Sequence, residues 1–159
     1  MRTRIITTIA ILIATLSPLI ADQPATKKAP FGVPADARLF NGKWYRIYLE
    51  KITWKRAQAK CRSLGGQLVC VPDAATQGFL ADFGKGVELW IGASDEKVEG
   101  LWVWDDGTEM KYNAWYPRQP DGALKENFAV LGSNPERRWF DAPERYDTVV
   151  GFICEWKDK

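Results

Sequence analysis

Trp54-Lys55-Arg56-Ala57-Gln58-Ala59-Lys60-Cys61-Arg62-Ser63-Leu64-Gly65-Gly66-Gln67-Leu68 carries apolar residues at helical spacing and ends in a double glycine. Trp54, Ala57, Cys61 and Leu64 share one helical face, Thr53 stands where a capping hydroxyl is wanted, and Gly65-Gly66 provides a left-handed stop. The stretch reads as one amphipathic helix that turns Cys61 into a core. On its N-terminal side, Trp44-Tyr45-Arg46-Ile47-Tyr48 is aromatic and β-branched and reads as an opening strand.

On the C-terminal side, Gln67 to Val71 reads as a second strand, and Pro72-Asp73 as the start of a second helix over Ala74 to Phe83, packed through Phe79, Leu80 and Phe83. Only strands are expected beyond it: Leu89 to Gly92, Leu101 to Trp104, Phe128 to Leu131, Arg138 to Phe140 and Gly151 to Trp156. Helices first and strands afterwards imply an α+β domain with a mostly antiparallel sheet. Asp105-Asp106-Gly107 marks a tight turn and lacks the alternating acidic spacing of an EF-hand. Asn113 to Gly122 is polar and broken by Pro117 and Pro120, and segments of that kind are functional or disordered.

Composition excludes much. Of 159 residues, 46% are hydrophobic and 26% charged, an ordinary globular balance. Histidine is absent, which removes the commonest general base, the His-dependent nucleophile systems and imidazole zinc sites. Three cysteines without a Cys-x-x-Cys leave no thiolate zinc site or thioredoxin-type chemistry, so any metal here would be bound by oxygen. Asp105 and Asp106 form a possible acid/base pair, but adjacent acids in a turn are usually solvated, and no enzyme is expected.

Met1-Arg2-Thr3-Arg4 followed by the apolar run Ile5 to Ile20 reads as an export signal over residues 1–21, with Pro18 and Ala21 placing cleavage before Asp22. An uncleaved anchor is the competing reading, although the run is short and interrupted for a span. Residues 22–37, rich in Pro, Ala, Lys and Gly, read as a flexible linker ahead of a domain over 38–159. Without Arg2 and Arg4 the chain has equal numbers of basic and acidic residues and no basic stripe, which argues against nucleic acid. The destination is an oxidising compartment: secreted, periplasmic or cell-surface, with no membrane span in the mature chain.

Taken in order, Trp54-x-x-Ala57-x-x-x-Cys61, Leu64-Gly65-Gly66-x-Leu68, Trp90-Ile91-Gly92, Glu99-Gly100-x-Trp102-x-Trp104-x-Asp106-Gly107, Gln119-Pro120-Asp121, Glu126-Asn127, Trp139-x-Asp141 and Phe152-Ile153-Cys154-Glu155 resemble the C-type lectin-like domain family. The resemblance implies a double-looped, mostly antiparallel sheet flanked by two helices. It also implies a disulfide between Cys61 and Cys154 and a cis peptide bond before Pro120. The family's second bridge has no cysteines here, since Phe128 stands where its first would be. Cys70 is left over and reads as a small buried core residue rather than a reactive or intermolecular thiol.

By the same resemblance, Gln119, Asp121, Glu126 and Asp141 are the candidate ligands of a calcium ion, whose preferred donors are carboxylate and amide oxygens. Gln119, Asp121 and Glu126 would also meet sugar hydroxyls, and the Gln-Pro-Asp order implies galactose-type sugars. Trp115 is the candidate aromatic surface for the sugar, with loop-base packing as its alternative reading. Asp95, Glu99 and Asn127 resemble an auxiliary calcium position, although Gly122 stands where one of its carboxylates would be, and Glu99 beside Gly100 also reads as a turn residue. Phe140 beside Asp141 replaces a usual asparagine and removes one oxygen from the set.

Two functions follow as expectations. The first is an exported carbohydrate-binding module, calcium-dependent and galactose-type, with a carbohydrate or glycoprotein as partner. The second is a calcium-independent protein-interaction or structural module on the same fold. Neither a coiled-coil stalk nor a repeat gives an oligomeric state.

Overall fold

The computed structural model describes residues 27–84 and 86–158. Its elements are β1 (Arg38–Phe40), β2 (Lys43–Tyr48), α1 (Trp54–Ser63), β3 (Gln67–Leu68), α2 (Ala74–Phe83), β4 (Glu88–Ser94), β5 (Val103–Trp104), a 3-10 turn over Ala123–Lys125, β6 (Phe128–Leu131), β7 (Trp139–Ala142) and β8 (Val149–Lys157). The strands form one sheet in the order β1-β2-β8-β4-β6-β7, with β3 also paired to β8 and β5 to β4. β4 and β8 run parallel, and the other pairs are antiparallel. Pairing of β2 with β8, Lys43 opposite Lys157 through Tyr48 opposite Phe152, brings the two ends of the domain together.

Successive strand residues point to opposite faces, and β8 shows the consequence. Phe152, Cys154 and Trp156 join a buried cluster with Trp54, Ala57 and Cys61 of α1. Ile153 joins the other cluster with Leu80 of α2, Trp104 and Trp139. Three of the buried indole N–H groups donate to backbone oxygens: Trp54 to Ile91, Trp90 to Ile52 and Trp156 to Leu64, at 2.8, 2.9 and 3.0 Å. These tryptophans therefore build the fold, as amphipathic rings do when the polar edge finds an acceptor.

Both helices start where side-chain caps are available. Thr53 accepts from the Arg56 N–H and Asp73 from the Thr76 N–H. Gly65 continues from α1 at φ 74°, a conformation glycine adopts without strain. Cys61 and Cys154 are joined by a disulfide across 93 positions, and Cys70 is free and buried.

Several expectations change. The strand expected over Gln67 to Val71 covers Gln67–Leu68 alone, after which Val69 donates to the Ile153 carbonyl of β8 and accepts from the Gly92 N–H of β4, at 3.0 and 2.8 Å, so that the chain crosses close to β4. A Cβ on Gly92 would lie 2.7 Å from the Leu68 carbonyl oxygen, so that crossing explains the glycine in Trp90-Ile91-Gly92. Leu101 and Trp102 lie outside the strand, which covers Val103 and Trp104 alone. β1 was not foreseen. The expected linker is packed where it is described: Ala29 and Val33 contact the α1-side core and Ala37 is buried. The expected signal over 1–21 lies outside the described residues. No helix among those described is long and apolar enough to cross a membrane.

Asp105 is likewise not a solvated turn residue. Its side chain is fully buried and accepts from the Leu68 N–H, Gln58 and Arg62 at 2.9, 2.7 and 2.7 Å. It ties the β5 turn to α1 and β3, which occupies both carboxylate oxygens structurally.

Candidate functional site

The site forms where the long polar segment after Tyr112 returns to the edge of the sheet. Tyr116 N–H donates to the Trp139 carbonyl and Trp139 N–H to the Ala114 carbonyl, at 2.7 and 2.9 Å, which fastens the loop base to β7. Gln119–Pro120 is the cis peptide bond. Beyond it the Asp121 and Gly122 N–H groups donate to Oδ1 and Oδ2 of Asp141, at 3.1 and 2.9 Å. Asp141 is 3% exposed and sits on β7, so a rigid strand sets the position of the whole loop tip.

Asp121, Glu126 and Asp141 converge. They offer carboxylate oxygens that all lie within 4.8 Å of one another. Two oxygens sharing one calcium at about 2.3–2.6 Å each cannot stand more than about 5 Å apart, so the spacing suits a single ion. Among the described residues, none of the three makes an ion pair with lysine or arginine. Glu126 is accordingly harder to ionise than an ordinary glutamate, first through burial and then through the negative charges of Asp141 and Asp121. Hard oxygen donors, close spacing and uncompensated charge fit a divalent cation.

Gln119 is held differently from the three acids. Its Oε1 accepts from the Asp141 N–H at 3.0 Å, and its Nε2 donates to Asp121 Oδ1 at 2.6 Å. Its carbonyl oxygen thus faces the β7 backbone and must rotate away to join the carboxylates.

Asp95 is 3% exposed, receives the Gly100 N–H on Oδ2 at 2.9 Å, and leaves Oδ1 buried with no hydrogen-bond partner. Burial raises its pKa, with a further contribution from Asp141. Glu99 is raised as well, by partial desolvation first and then by Asp95 and Asp141. Asn127 passes its backbone oxygen to the Asp95 N–H at 3.3 Å, while its side chain donates to the Leu124 oxygen. The space a side chain at Gly122 would take is filled by Glu126: a Cβ there would lie 2.2 to 2.4 Å from its Cβ, Cγ and Oε2.

Trp115 meets Trp102 and Trp139 edge-on, with ring centroids 4.7 and 5.7 Å apart, at the base of the loop. Aromatic surface lies elsewhere, in residues that sequence reasoning did not assign to sugar contact. Tyr116, Phe140 and Tyr146 line a cavity of about 390 Å³ that Gln119 also lines. Tyr116 and Tyr146 are 47% and 39% exposed. Their nearest sequence signal was the tyrosine beside Pro117.

Comparison with known proteins identifies the family. The Lectin C-type domain family model matches residues 50–156. A type-2 ice-structuring protein of Brachyopsis segaliensis is 31% identical over 110 residues, 69% of this chain and 65% of the relative. The chain thus spans about two thirds of that relative's length. Among solved structures, the mouse scavenger receptor C-type lectin carbohydrate-recognition domain superposes with a TM-score of 0.73 at 29% identity, covering 80% of this chain and 98% of the other. A calcium-independent type II antifreeze protein gives 0.74 at 28%, covering 80% and 95%.

Proposed function

The chain belongs to the C-type lectin domain family, a family of non-enzymatic binding modules, and from that premise we propose that it is an exported, calcium-dependent carbohydrate-binding module of galactose type. The observation that carries this reading is the convergence of the Asp121, Glu126 and Asp141 oxygens within 4.8 Å beside the cis Gln119–Pro120 bond. Those three residues would hold the ion, with Gln119 joining after its amide rotates. Calcium bound there supplies positive charge and open coordination positions for adjacent sugar hydroxyls. Asp141 then orients the loop through its two backbone hydrogen bonds, and Asp121 and Glu126 accept from the sugar hydroxyls. Export is supported by the cationic and apolar character of residues 1–21 and by the Cys61–Cys154 bond, which suits an oxidising compartment.

A second reading is favoured by one observation. Gln119 and Asp141 already satisfy one another, so the loop closes on itself without an ion, and Phe140 offers no oxygen. On that reading the loop surface binds without calcium. Retention on immobilised galactose separates the two. Binding in calcium and release by chelator supports the first, whereas retention that ignores chelator, or none at all, overturns it in favour of the second.

A further inference from the structure

Three cations that make no ion pair among the described residues share one cavity. Lys51, Arg56 and Arg145 line a pocket of about 320 Å³ with Tyr146 and Asp147, between the start of α1 and the segment before β8. All three are exposed, and none makes an ion pair among the described residues. Their neighbours differ: Lys55 pairs with Glu96 and Glu144, and Lys60 with Glu50. Glu144 is thereby engaged by Lys55, which leaves Asp147 as the one carboxylate lining the pocket. An unbalanced positive concavity concentrates anions.

Tyr146 also lines the aromatic cavity that contains Tyr116, Phe140 and Gln119, and Gln119 hydrogen-bonds to Asp121 of the carboxylate cluster. The three features are therefore contiguous: carboxylate cluster, aromatic cavity, cationic pocket. The middle one presents two partly exposed tyrosine rings, which suit the apolar face of a sugar ring.

We propose that the domain takes an acidic oligosaccharide, with one sugar at the Asp121 cluster, the next across Tyr116 and Tyr146, and an oxyanion substituent held by Lys51, Arg56 and Arg145. The proposal rests on the carbohydrate-binding reading above and names the ligand class. A sulfate ester and a uronic-acid carboxylate share the chemistry, so both are tested.

The experiment measures binding of the oxidised protein to neutral, sulfated and carboxylated galactan at about 0.15 M ionic strength, in calcium and in chelator. Acidic galactan is expected to bind about five- to tenfold tighter than neutral galactan, as three partly screened charges would give. Lys51→Glu with Arg145→Glu should remove that advantage and leave neutral galactan unchanged. Lys97→Glu with Lys111→Glu, exposed and outside the pocket, should preserve it. Which acidic galactan shows the advantage identifies the oxyanion. Equal binding of all three galactans overturns the proposal, and so does an equal loss in both double variants, which would mark mere net charge. Acidic binding that survives chelator but not the pocket variant supports the pocket while overturning the calcium reading. Failure of every galactan to bind overturns both.

Discussion

Gln119 and Asp141 hold one another across the binding loop: the Asp141 N–H donates to Gln119 Oε1 at 3.0 Å, 22 positions away in sequence. The amide that would ligate an ion is therefore also a clamp on the strand that carries the buried acid. Gln119→Ala leaves the Asp141 N–H without that acceptor. In chelator it should lower stability by about 1 kcal/mol, read as an earlier urea midpoint at unchanged slope. An unchanged midpoint would show that the clamp contributes nothing.

Gly122 makes room for Glu126. A methyl group there must push the Glu126 side chain aside, since its own Cβ is among the atoms 2.2 to 2.4 Å away. Because the Glu126 Cβ can move only with its backbone, Gly122→Ala should also lower stability in chelator, by about 1 to 3 kcal/mol. Calcium affinity should fall about tenfold, equivalent to about 1.4 kcal/mol. Calorimetric titration with calcium checks this, and native affinity in the variant would remove Glu126 from the ligand set.

Acidification should act in opposite directions with and without calcium. Glu126, Asp95 and Glu99 all have raised pKa values. A carboxyl raised by folding binds more protons in the folded state, so its destabilising contribution fades as pH falls through that interval. Without calcium, these groups therefore make the domain more stable as pH falls towards the ordinary carboxylate values. Calcium needs the ionised forms, so the increment it adds should shrink over the same interval and begin to do so above the ordinary glutamate value of 4.5. Asp73 and Asp106 are lowered and lose their contribution only as pH falls through and below the ordinary aspartate value of 3.8. Thermal midpoints against pH, with and without calcium, test the opposed trends; parallel curves would contradict them.

The cysteines divide by role. Cys61 and Cys154 close a loop of 93 positions, and removing the bond by Cys61→Ala with Cys154→Ala should cost about 4 to 5 kcal/mol on chain entropy. Burial, and then the neighbouring Glu155 charge, pushes the Cys70 thiol well above its usual range. A thiol reagent should find no reactive group in the native protein and one after unfolding in denaturant. Rapid labelling of the native protein would contradict the burial.

Local signals made the helices legible: the Thr53 and Asp73 caps and the Gly65 stop act within one turn of chain. The resemblance located the carboxylates and the disulfide because it stores contacts that local pattern cannot. Contacts between distant segments were not legible. Gln77 on α2 accepts the Trp139 indole N–H and donates to the Arg137 carbonyl, both at 2.8 Å. Arg137 in turn donates to the Val87 and Gly84 oxygens, and nothing near it in sequence marks it for burial. The Asp105 bracket, the Gly122–Glu126 fit and the cationic pocket are of the same kind. Each joins residues tens of positions apart or turns on side-chain direction, which hydrophobic periodicity does not encode.

Calcium binding at Asp121, Glu126 and Asp141 is the central claim, and the thermal midpoint of the oxidised domain in saturating calcium and in chelator tests it most directly. At about a hundred times the dissociation constant, binding adds about 2.7 kcal/mol, and for a domain of this size that is several degrees. The account expects that rise in the native protein and its absence in Asp121→Ala. Identical midpoints in calcium and chelator would contradict it and leave a calcium-independent binding surface on the same fold.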